Sequence, residues 1–214
     1  MKPFSQWTKE EIEDEFGLSA DRHHARLQEW ISVSPSFSEA EQKTLHHLSQ
    51  TLLEHVHDWN EEELKICFIA LLLNLVDFHQ LSYRPFLERE LNVAYAEGKR
   101  LWGVVDFLVA SGRQSPKQPF FFLHEYKRQL DTSNDPLGQL LAEMVAAQTA
   151  NANSHPIYGA YVVGRHWYFI VLDEKIYGES LAYDATKEDE LLQIVAILKK
   201  TKILIEQLVQ IHVS

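Results

Sequence analysis

An α/β fold with a mixed central β-sheet flanked by helices, preceded by an N-terminal helical extension, is predicted by three observations. Apolar residues recur at helical spacing through the first sixty residues, three strand-like segments follow between residues 84 and 127, and an amphipathic helix then leads into a further strand pair. The succession helix, strand, strand, strand, helix, strand builds one sheet with helices on its faces.

Each element has a local reason. Leu18 to Ile31 reads as an amphipathic helix, bounded by Ser34-Pro35-Ser36. Ser38-Glu39-Ala40-Glu41 has capping-box form, and Leu45, Leu48, Leu52, Val56 and Trp59 follow at helical spacing. Residues 1–59 therefore form a helical extension that packs on the core or serves a protein partner or self-association, and residues 60–214 form the core. Asn60 is a good N-cap and Glu61-Glu62-Glu63 suit the positive end of a helix running to about Phe78. Arg84 to Tyr95 gives the first strand, with Glu88 and Glu90 on one face.

Two strands, 101–111 and 120–127, flank the turn-rich Gly112-Arg113-Gln114-Ser115-Pro116-Lys117-Gln118-Pro119. The loop Asp131-Thr132-Ser133-Asn134-Asp135-Pro136 opens a helix through about Ala150, with an apolar face of Leu137, Leu140, Leu141, Met144 and Val145. Residues 157–163 and 167–172 make a hairpin turning at Gly164-Arg165-His166, and Lys187 to Ile211 is an amphipathic helix whose stripe covers the sheet.

The chemistry sits on the paired strands. Asp106 is a lone acid in Gly103-Val104-Val105-Asp106-Phe107-Leu108-Val109, and Glu125 and Lys127 end the apolar run Phe120-Phe121-Phe122-Leu123-His124-Glu125-Tyr126-Lys127. Residues two apart in a strand share a face, so Glu125 and Lys127 point the same way. Pairing outward from the loop sets Asp106 opposite Glu125, with Cβ atoms about 4.5–5.5 Å apart. Two such carboxylates repel each other unless a hard divalent cation lies between them. Lys127 would then point at the ion's water or at a phosphate.

In this pattern the chain resembles the PD-(D/E)XK nuclease superfamily, whose signature is an Asp on one core strand and Glu-x-Lys on the next. Asp106, Glu125 and Lys127 match it, while Val105 stands where the superfamily's name has proline. The resemblance covers roughly residues 60–175 as a pattern of elements. It implies a restriction-endonuclease-like core and metal-dependent hydrolysis of nucleic-acid phosphodiesters, DNA foremost. Asp106 and Glu125 would hold Mg2+ or Mn2+, with the Tyr126 carbonyl available as a further ligand, and Lys127 would position or deprotonate the attacking water. Gln139, with Gln148 further along, resembles a glutamine of several branches and could bond a nucleotide or a metal-bound water. A third metal acid is expected from Glu63, with Glu88 and Glu90 as alternatives. Arg128 and Arg165 are candidates for phosphate contact.

Composition sets limits. The net charge of −11 argues against a broad nucleic-acid footprint. The acids crowd into residues 9–63 and 173–190, so Lys99, Arg100, Arg113, Lys117, Lys127, Arg128 and Arg165 leave room for a local basic cleft. The single cysteine, Cys67, allows no intrachain disulfide and reads as a small core residue. The longest apolar run, from Ile66, is too short to span a bilayer, and the polar, acidic N-terminus is unlike a signal peptide, so a cytoplasmic protein without membrane contact is expected. The eleven histidines show neither HExxH nor zinc-finger spacing. The rival reading is a nuclease-like fold used as a catalytically idle binding or assembly module. Its acidic surface and helical extension would suit protein contacts.

Overall fold

The computed structural model describes residues 2–129, 135–151 and 155–213. The expected loop Asp131 to Asn134 lies outside them. In chain order the helices are α1 (Lys9–Phe16), α2 (Ala25–Ile31), α3 (Glu39–His55), α4 (Glu61–Leu64), α5 (Ala70–Val76), α6 (Pro136–Asn151) and α7 (Glu188–Val213). The strands are β1 (Ser19–Ala20), β2 (Arg84–Ala96), β3 (Lys99–Ser111), β4 (Lys117–Lys127), β5 (Ile157–Val163), β6 (His166–Asp173), β7 (Ile176–Glu179) and β8 (Tyr183–Asp184).

The sheet runs β1-β7-β6-β5-β4-β3-β2, with β8 on β6. Pairs β2/β3, β3/β4, β5/β6, β6/β7 and β6/β8 are antiparallel, whereas β4/β5 and β1/β7 are parallel. The parallel step from β4 to β5 is the one that a helix has to bridge, and α6 does so. The architecture is thus α/β with a mixed central sheet.

Each face of the sheet has its own core. On one, Trp30 of α2, Leu45 of α3, Phe68, and Leu191, Ile194 and Leu198 of α7 pack on Phe122, Trp167 and Phe169. On the other, Ile12 of α1 and Leu140, Leu141 and Met144 of α6 pack on Leu123, Ile170 and Leu172. Every residue of α6 from Leu137 to Ala147 is buried, because α1 and the N-terminal segment cover the side that faces away from the sheet.

Glycine permits that cover. A Cβ on Gly138 would lie 2.5 Å from Lys9 N and 2.6 Å from Trp7 O, so the backbone of residues 7–9 rests directly on α6. Lys9 N also donates to Asp135 Oδ2 at 2.7 Å, beside the start of α6. Gly138→Ala is expected to push this segment off and cost about 1–3 kcal/mol, the usual penalty for overpacking. Urea unfolding measures it, and an unchanged midpoint would show that the contact is slack.

Several expectations need correction. Helix 18–31 is only Ala25–Ile31, because Ser19 and Ala20 pair with Ile176 and Tyr177, and Asp21 Oδ1 then accepts from His23 N in a local turn. The expected loop 112–119 is shorter, since Lys117 already belongs to β4 and pairs with Ser111. The helix from the Asn60 cap ends at Val76 and changes to π geometry over Lys65–Ile69. Strand β7 had no signal in its short, glycine-containing sequence. Cys67 is half-buried. Among the described residues no helix is long and apolar enough to cross a membrane.

Candidate active site

The β3/β4 register is Phe107↔His124, Leu108↔Leu123 and Val109↔Phe122, which sets Asp106 level with Glu125. The ladder stops there. Instead of a backbone partner, Tyr126 N finds Asp106 Oδ2 and donates to it at 3.0 Å. The other oxygen, Asp106 Oδ1, accepts from Lys65 Nζ at 3.0 Å.

Lys65 stands where α4 passes into the π turn, and further carboxylates surround it. Glu61 Oε1 lies at 3.0 Å, Glu88 Oε1 at 3.2 Å and Glu62 Oε1 at 3.4 Å. Burial alone would depress this ammonium. The charge of Asp106 and its hydrogen bond override that and raise it well above the ordinary lysine value.

Glu125 and Lys127 point to the α6 side. Lys127 Nζ donates to Glu125 Oε1 at 2.5 Å, and Glu125 Oε2 is buried without a partner among the described residues. Burial and then the charge of Asp106 push the Glu125 carboxyl up to about 8, against the pull of Lys127. Lys127 is itself held above its ordinary value, since Glu125 outweighs the burial that would lower it.

Glu143 of α6 completes the cluster and had escaped the sequence reading. It is fully buried, its Oε1 accepts from Gln139 Nε2 at 3.2 Å, and its Oε2 has no partner. Burial first, then repulsion from Glu125, pushes its carboxyl well above the ordinary range. A signal was there to find. Between Leu137 and Ala147 the only polar residues are Gln139 and Glu143, four apart and so on one helix face.

Asp106, Glu125, Lys127 and Gln139 are therefore brought together, with Glu143, Lys65, Glu61 and Glu88 beside them. Glu63 is not part of this group. It closes a capping box, its Oε2 accepting from Asn60 N at 2.8 Å. Glu90 lines a cavity with Trp102, Gly103 and Gln139. Gln148 is half-buried three turns into α6.

The basic residues do not share one cleft. Arg100 and Ser111 are eleven positions apart on β3, roughly 36 Å, so Lys99 and Arg100 lie at the opposite end from Arg113 and Lys117. Lys99 pairs with Glu15, and the Arg165 guanidinium lies 3.5 Å from Asp184 Oδ2. Arg128 is exposed just past the end of β4, and Arg165 is near it, because Gly164 N donates to Lys127 O.

The other face of β4 is different. His124 is fully buried among Phe107, Phe122, Tyr126 and Trp167, and burial pushes it down to about 3, so it is neutral at every ordinary pH. An apolar groove of about 190 Å³, walled by Ile66, Ile69, Ala70, Leu73 and Leu87, opens beside Asp106 and Lys65.

A hard divalent ion suits this donor set. Asp106, Glu125 and Glu143 are half-buried or buried carboxylates, and two of them carry buried oxygens without a partner. As they stand, no three acidic, histidine or cysteine side chains among the described residues converge on one point; the ammoniums of Lys65 and Lys127 lie among the carboxylates. In comparisons with known proteins, the chain matches no protein-family model and no curated protein.

Proposed function

We propose that this chain is a metal-dependent nuclease that hydrolyses nucleic-acid phosphodiester bonds, with DNA the favoured substrate. The observation that carries the reading is Asp106 level with Glu125 on adjacent strands, with Lys127 on the same buried face and an unpartnered oxygen left on Glu125. A buried carboxylate oxygen without a partner is costly, and functional sites are where such cost is tolerated. The order β2-β3-β4-β5 with α6 crossing between the parallel pair supports a restriction-endonuclease-like core.

Asp106, Glu125 and Glu143 would hold Mg2+ or Mn2+. The ion, once bound, supplies an acidified water and neutralises charge developing on the phosphate. Lys127, kept as an ammonium by Glu125, donates rather than accepts a proton, so it orients the water and stabilises the growing negative charge. Gln139 fixes Glu143 by its amide N–H. Tyr126 N–H fixes Asp106.

A second reading has one observation in its favour. Both oxygens of Asp106 already have protein partners, as in a structural ion pair of an idle binding or assembly module. Calorimetric titration of Mn2+, with nicking of supercoiled plasmid followed in the presence and absence of a chelator, separates the two. Mn2+ binding with chelator-sensitive nicking is expected. A wild-type protein that binds no Mn2+ would establish the binding module.

A further inference from the structure

Two departures from regular backbone meet at one side chain. The π turn Lys65–Ile69 interrupts the helix that begins at Asn60, and such turns occur mostly as single insertions in α-helices, frequently at functional sites. Glu88, in mid-strand, has φ +50, a conformation that costs a non-glycine residue about 1–3 kcal/mol and that surrounding structure must enforce. Lys65 and the Glu88 carboxylate are in contact, with Asp106 the third party.

An ordinary ion pair would need neither distortion. Lys65 has Glu61, Glu62, Glu88 and Asp106 within 3.4 Å, and an ammonium has only three protons to give. Four carboxylates and one ammonium leave three negative charges around a side chain that is still 15% exposed. Oxygen ligands with excess negative charge suit a hard divalent cation better than a lysine.

We propose that Lys65 is the site's built-in counter-ion, which holds Asp106 while no metal is bound and is displaced from it when a divalent cation arrives. This rests on the metal-dependent reading above. Glu61, one turn earlier on the same helix, keeps the released ammonium in the site. Lys65 is thus a positioning residue. It prevents the carboxylates from repelling one another apart before the metal binds, and it weakens metal binding by competing for the same oxygen.

The test is Mn2+ titrated calorimetrically into metal-free wild type, Lys65→Met, Lys65→Arg and Lys99→Met. Lys65→Met removes the competitor and should bind about tenfold more tightly, whereas Lys65→Arg, whose planar fork grips a carboxylate at two points, should bind more weakly. Lys99→Met removes the same charge from an exposed pair with Glu15 and should match wild type. A second readout needs no turnover. Lys65→Met should melt earlier than wild type without metal and gain more from saturating Mn2+.

Lys65→Met binding no more tightly than Lys99→Met would overturn the exchange, and so would Lys65→Arg binding as tightly as wild type should Lys65→Met fail to fold. If wild type binds Mn2+ but this pattern is missing, the counter-ion role alone falls. If wild type binds none, the metal-dependent reading falls with it.

Discussion

Lys127→Met is expected to slow plasmid nicking by about 10³-fold while Mn2+ affinity stays within a few-fold of wild type, a loss in the range for removing one positioned donor or proton-transfer group. The separation follows from what the side chain touches. Among the described residues its bonded partner in the site is Glu125, and a thioether of similar length keeps the packing. Glu125 survives the loss because its carboxyl, already pushed up to about 8 by burial, takes a proton in the metal-free protein and gives it up when Mn2+ binds. Asp106→Ala is expected to remove both binding and nicking, since it takes away a carboxylate, leaves Tyr126 N–H without its acceptor and removes one of the partners of Lys65. Single-turnover nicking alongside calorimetry distinguishes the two variants. A Lys127→Met protein that nicks at the wild-type rate would refute the role given to the ammonium.

Much of the site was legible because it rests on strand geometry. Alternation along two strands and a compact turn set Asp106 against Glu125, one step beyond the paired Phe107 and His124. Glu143 was hidden for a physical reason. Sequence periodicity finds a helix with one apolar face, but α6 is buried all round by α1 and the N-terminal segment, so position 143 falls on a side that the pattern assigns to solvent. Lys65 was equally masked, as its spacing from Glu61 is that of a common surface pair. Only Glu88 and Asp106, brought in from the sheet, make it unusual.

Elements fixed by distant pairing were the ones misread. Ser19 and Ala20 lie within a stretch with helical periodicity, yet they become strand because β7, over 150 residues later, offers them backbone partners. Cap chemistry is local and proved readable. Ser38 with Glu41 and Asn60 with Glu63 both form complete capping boxes, and the second accounts for Glu63 without any metal.

The metal-free protein is expected to lose stability as pH rises from 7 to 9, and Glu143→Gln to reduce that loss. Glu125 has a folded-state value of about 8, above its ordinary 4.5, and Glu143 is shifted the same way. Between those values the folded chain holds protons that the unfolded chain has released, so raising the pH favours unfolding. The penalty is absent below about pH 4.5 and complete above about pH 8. Between pH 7 and the Glu125 value of about 8 that leaves about 1–1.5 kcal/mol, or about 2–6 °C of melting temperature for a chain of this size. Buried His124 has the opposite slope, because it stays neutral while the unfolded chain protonates, but that effect is finished above pH 7. Glu143→Gln removes one of the two acids that titrate and keeps an acceptor for Gln139, while the burial and the Asp106 charge that raise Glu125 remain. Melting curves at pH 7 and 9 should therefore diverge in wild type and diverge less in the variant. Saturating Mg2+ should reverse the wild-type slope, since a bound cation favours the ionised carboxylates. A wild-type melting temperature independent of pH over this window would mean that these carboxylates are not protonated in the folded protein, and the burial argument for the site would fail with it.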